Sequence, residues 1–128
     1  MSTEPAVLIV EPHRATRELY VRELEQSWRV LTSNDRAGAL DLLKREAIGA
    51  IILEPVAPGE EFWSLLAEVR AHAATAGVPV VICSVMDDRR RGLDLGANAY
   101  LVKPVSPQQL VREVTRWLQP RIETQFPK

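Results

Sequence analysis

Short continuous apolar runs alternate with segments of helical periodicity five times along this chain, and few folds accept that pattern. Residues 6–10, 29–32, 50–54, 79–83 and 99–102 read as strands. The first, the third up to Leu53 and the fourth are apolar at successive rather than alternate positions, as expected of strands covered on both faces. Between them, apolar residues recur at helical spacing. The first helix is expected from about Ala15 to Gln26, with Leu19, Val21 and Leu24 turned inward. Asn34 or Asp35 can cap a second helix carrying Ala39, Leu40, Leu43 and Ala47. Pro58-Gly59 marks a loop, and Phe62, Leu65, Leu66 and Val69 follow at helical spacing. A short helix from about Asp87 to Leu95 stops at Gly96. The last begins at Ser106-Pro107-Gln108-Gln109, a capping box with proline in the first turn. It buries Leu110, Val111, Val114, Trp117 and Leu118 and ends at Pro120. Five strand–helix units with right-handed crossovers imply a parallel sheet with helices on both faces.

In such sheets the functional crevice lies beyond the carboxyl ends of the strands. Four runs end there in a polar residue: Glu11, Glu54, Ser84 and Lys103. Their convergence on one edge makes a polar pocket the expected functional site.

The 128 residues suit a single domain over about 1–120, with 121–128 as a tail or the start of a linker. A net charge of -1 gives no electrostatic reason to expect nucleic acid. The apolar stretches are strand-sized and the amino terminus lacks a signal pattern, so neither membrane insertion nor export is expected and the cytoplasm is the expected location. One cysteine, Cys83, cannot form an internal disulfide and is read as core packing.

The chain resembles the receiver domain of bacterial two-component response regulators over about residues 6–119. The resemblance rests on Leu8-Ile9-Val10-Glu11, on Ile51-Ile52-Leu53-Glu54 with Pro58-Gly59, on Val80-Val81-Ile82-Cys83-Ser84, and above all on Gly96-Ala97-Asn98-Ala99-Tyr100-Leu101-Val102-Lys103-Pro104. It implies a CheY-like, flavodoxin-like (βα)5 fold with strand order 2-1-3-4-5. It also implies a site where two acidic residues and an acceptor aspartate hold Mg²⁺ while a hydroxyl and a lysine hold the phosphoryl oxygens. The metal neutralises charge on the moving phosphoryl group. Tyr100 falls on the family's switch aromatic, and Lys103-Pro104 on a peptide that is cis by resemblance.

This sequence departs from that pattern at the chemistry. Glu11 takes the first acidic position, but Pro12 falls on the second and has no side-chain oxygen. Glu54 falls on the acceptor, and its carboxylate projects about 1.5 Å further than that of aspartate. In-line transfer is sensitive to displacements of that size. Mg²⁺ binding is therefore expected to be weak or absent, with no metal or other cofactor. Lys103 is expected to pair with Glu54, an arrangement that either imitates the phosphorylated state or locks the inactive one. Asp87 and Asp88 either start a solvated helix or point at the pocket; Phe62 either joins the core or covers the pocket.

The segment from Ser84 to Lys103 runs about one helical turn short of the usual receiver, so the fourth helix is expected to be truncated or partly unwound. Arg89-Arg90-Arg91 there reads as a solvated face or as a basic docking patch. With Arg112 and Arg116 it marks the face formed by the fourth helix, fifth strand and fifth helix as the expected contact surface for a protein partner or a second copy. The reading is a non-enzymatic, phosphorylation-independent pseudo-receiver in two-component-type signalling, its partner a histidine kinase or an output protein. The alternative is a phosphoacceptor receiver using Mg²⁺ and a histidine kinase. A remote one is a flavodoxin-like ligand-binding module, such as one for cobalamin, suggested by Glu11-Pro12-His13. No nucleophile elbow or Gly-rich phosphate loop is present.

Overall fold

The computed structural model describes residues 4–55 and 60–120. The Pro58-Gly59 loop and the tail at 121–128 lie outside the described residues. Five strands, β1 (Ala6–Val10), β2 (Arg29–Ser33), β3 (Ile48–Leu53), β4 (Val80–Ser84) and β5 (Ala99–Val102), form one parallel sheet in the order β2-β1-β3-β4-β5. The helices are α1 (Arg14–Leu24), α2 (Arg36–Arg45), α3 (Glu61–Ala71), α4 (Arg89–Asp94) and α5 (Pro107–Trp117). No helix among the described residues is long and apolar enough to cross a membrane.

The apolar runs are continuous because alternate residues serve two cores. Leu8, Val10, Ile51, Leu53 and Ile82 face the side packed by Phe62, Leu65, Leu66 and Val69 of α3. Val7, Ile9, Ile52, Val81 and Cys83 face the side packed by Tyr20 and Leu24 of α1 and Leu110 and Val114 of α5. Successive strand side chains point to opposite faces, so burial of both removes any polar alternation.

Helix phases correct two expectations. Leu19 is 37% exposed; Tyr20 takes the inward position with Leu24, followed by buried Trp28. Trp117, in the last turn of α5, is 38% exposed, and its indole N–H donates to Glu113 Oε2 at 3.0 Å. In both helices the inward stripe runs one residue away, at Tyr20 in α1 and at Leu118 after α5. The caps follow the sequence. Asp35 accepts the Gly38 N–H at 2.7 Å, and Ser106 and Gln109 form the capping box. Phe62 and Trp63 are both buried, so Phe62 belongs to the core rather than to a cover over the pocket.

α4 is one and a half turns long and lies close to the sheet because Gly92 faces it: an added Cβ there would sit 2.7 Å from Tyr100 Cδ2 and 2.8 Å from Ile82 Cδ1. After the helix, Gly96 turns the chain into β5 with φ of 107°, a conformation that favours glycine. Arg70 of α3 holds this turn. Its guanidinium donates to the carbonyls of Gly96 (2.9 Å), Ala76 (3.1 Å) and Val78 (2.6 Å) and to Asn98 Oδ1 (2.8 Å).

Candidate functional site: a carboxylate–lysine cluster

Strand register brings the site together. Val10 pairs with Leu53, so the next residues, Glu11 and Glu54, leave the sheet side by side. Ser84 pairs with Val102, so Lys103 emerges next to the end of β4. Lys103 Nζ lies 2.7 Å from Glu11 Oε1 and 2.9 Å from Glu54 Oε1. Glu11, Glu54 and Ser84 are buried, and the Lys103 side chain is 14% exposed. The expected Glu54–Lys103 pair is therefore one limb of a three-residue cluster.

The Glu11 limb was not foreseen. The resemblance assigns Glu11 to the metal, and nothing in the sequence pairs residues 92 positions apart except their common place at the edge. Glu11 Oε2 accepts the His13 N–H at 2.9 Å, and its backbone carbonyl accepts from Arg17 at 2.8 Å. It thus lies just ahead of α1, whose amino terminus favours a negative charge. Glu54 Oε1 also accepts the Val85 N–H at 3.2 Å. Backbone donors and the helix end offset the negative charge that one lysine leaves on two carboxylates. Burial by itself lowers the pKa of the Lys103 ammonium, but the hydrogen bonds and charges of Glu11 and Glu54 outweigh it and hold the group above the ordinary lysine value.

Around the cluster the loop after β4 is tied down. Ser84 Oγ accepts the Met86 N–H at 3.1 Å. Tyr100 is turned inward and 8% exposed; its hydroxyl donates to the Met86 carbonyl at 2.5 Å and accepts the Asp88 N–H at 3.0 Å. The loop is thus held by Glu54 at one end and Tyr100 at the other. Pro12 is exposed and brings no side-chain oxygen. Asp87 and Asp88 are exposed, with Asp87 3.8 Å from Arg89, so they take the solvated helix-start role. Arg91 departs from the solvated-face expectation: its guanidinium stacks 4.2 Å from the centroid of the Trp63 ring and pairs with Glu60. Arg89, Arg90, Arg112 and Arg116 are exposed. Cys83, beneath the site, is buried, and burial pushes its thiol up to about 12, consistent with inert packing. The Lys103–Pro104 peptide is cis.

A family model described as response regulator receiver domain matches residues 7–115. The chain is 33% identical over 109 residues to the transcriptional regulatory protein HprR of Escherichia coli, an alignment covering 84% of this chain and 49% of that protein. It thus spans about half the length of the curated relatives it matches. Among solved structures, chemotaxis protein CheY4 of Vibrio cholerae superposes with a TM-score of 0.82 at 23% identity, covering 90% of this chain and 99% of that one, which speaks for the fold. The receiver domain of sensor histidine kinase PA1611 from Pseudomonas aeruginosa has a magnesium ion coordinated in its active site cleft. It is 27% identical with a TM-score of 0.74, over 89% of this chain and 97% of that one. The chain belongs to the response regulator receiver domain family. Its fold is the CheY-like, flavodoxin-like one with strand order 2-1-3-4-5.

Proposed function

We propose that this receiver domain signals through protein contacts without accepting a phosphoryl group. The observation that carries the reading is the double engagement of Lys103 by Glu11 and Glu54. The ammonium that would hold phosphoryl oxygens is already paired with two carboxylates of the chain itself. Glu54, at the acceptor position, contributes one of them.

The residues present do not fit a magnesium site. A hard cation wants several oxygen ligands in near-octahedral geometry. Pro12 supplies none, Glu11 has one carboxylate oxygen on Lys103 and the other on a backbone N–H, and Oε1 of Glu54 accepts from both Lys103 and Val85. No group of three or more His, Cys, Asp or Glu side chains among the described residues is arranged to hold a metal. An NMR titration with Mg²⁺ into the tens of millimolar is expected to leave the amides of Glu11, Glu54 and Val85 without a saturable shift. A saturable shift confined to these residues would refute the reading.

The surface beside this loop supplies the contact. Val85, Met86 and Leu93 are exposed at 60%, 56% and 47%, and Arg89 and Arg90 are exposed among them. Apolar side chains interspersed with arginine suit a protein partner, such as a histidine kinase or output protein, or a second copy through the α4-β5-α5 face. Reversing Arg89 and Arg90 to Glu is expected to weaken partner binding or self-association, with stability changed by less than about 1 kcal/mol. Arg91 stays in place in this variant because its stacking on Trp63 is part of the fold. Binding and sedimentation unchanged from the parent would remove this surface from the account.

A further inference from the structure

A cavity of about 300 Å³ lies between α2 and α3, away from the carboxylate–lysine cluster. Helices in this sheet run opposite to the strands, so the carboxyl-terminal turns that line the cavity lie toward the other edge. Leu40, Leu43 and Ala74 form apolar walls, and buried Val69 connects the cavity to the core. Its volume is at the low end for small-molecule sites, which are mostly apolar with a few polar groups that orient the ligand.

The polar groups at this cavity fall into two kinds. Glu68 is paired with Arg36, and Thr75 Oγ1 donates to the Val69 carbonyl at 2.7 Å. Lys44 and His72 are exposed and make no side-chain hydrogen bond or ion pair among the described residues. Nearby basic residues are already engaged: Arg45 with Asp41 at 2.9 Å, and Arg70 with three carbonyls and Asn98. These cations also offset the negative partial charge at the ends of α2 and α3. The rim is set in place, because the Thr75 N–H donates to the His72 carbonyl and the Val78 N–H to the Thr75 carbonyl, both at 3.0 Å. We infer that the α2–α3 cavity binds a small amphipathic carboxylate, with its apolar body between Leu40, Leu43 and Val69 and its charged end at Lys44 and His72.

The test is an NMR titration of the full 128-residue chain with octanoate, 1-octanol and octylamine. Octanoate is expected to shift the amides of Leu43, Val69 and His72 saturably and to bind about fivefold more tightly than octanol, the scale of one exposed ion pair. Octylamine should bind more weakly than either. Lys44→Glu should remove the preference for octanoate over octanol. Ala74→Trp, at an exposed position that leaves the core intact, should fill the mouth and abolish both. Absence of saturable shifts at these residues overturns the proposal. So does equal binding of all three probes, or octanoate binding unchanged in Lys44→Glu or in Ala74→Trp.

Discussion

Lys103→Met is expected to destabilise the domain by about 3–5 kcal/mol, the range for removing one partner of a buried ion pair. The methionine fills much of the volume of the lysine stem, so the loss reports charge rather than a cavity. Glu11 and Glu54, both nearly fully buried, would face each other without the cation that now lies within 2.9 Å of each. Glu54→Ala should cost less, about 1–3 kcal/mol, because Glu11 still holds Lys103. Urea denaturation at neutral pH reads both. Equal losses in both variants would mean that Glu11 contributes nothing and that the cluster is a simple pair.

Arg70→Met should cost about 2–4 kcal/mol. The guanidinium donates four hydrogen bonds, and those to charged groups contribute about 1.5–3 kcal/mol each before solvent replaces some of them. It also fills the space that a side chain at Gly96 would need, so one residue sets both the polar and the steric fit of the turn into β5. Arg70→Lys should restore less than half of the loss, since an ammonium cannot reproduce the planar fork. The midpoint of urea unfolding checks both. Complete rescue by lysine would reduce the role of Arg70 to charge alone.

The legible and illegible parts of this chain divide along physical lines. The central strands β1, β3 and β4 were readable because covering both sheet faces leaves an unbroken apolar run. The α5 start was readable because a capping box is local chemistry within four residues. The polar edge was readable because each of Glu11, Glu54, Ser84 and Lys103 directly follows or ends such a run. The inward faces of α1 and of the end of α5 were less so: Leu19 and Trp117 are as apolar as the neighbours that do face inward. The inward stripe of α1 is carried by Tyr20 and Leu24 and continued beyond the helix by buried Trp28; their four-residue spacing was the available signal. The Arg91–Trp63–Glu60 stack and the fork of Arg70 join α3 to α4 or to the turns around β4 and β5. Such contacts depend on how packed elements meet, which no local pattern encodes.

The proposed replacement of phosphoryl chemistry by a built-in cluster is tested most directly by intact mass spectrometry after incubation with acetyl phosphate or phosphoramidate and Mg²⁺, with samples kept cold and near neutral pH. Glu54 stands at the acceptor position, Pro12 has no side-chain oxygen, and Lys103 is paired with Glu11 and Glu54, so under the proposed function the mass is expected to stay unchanged. Gain of a single phosphoryl group that is lost in Glu54→Gln would contradict the account.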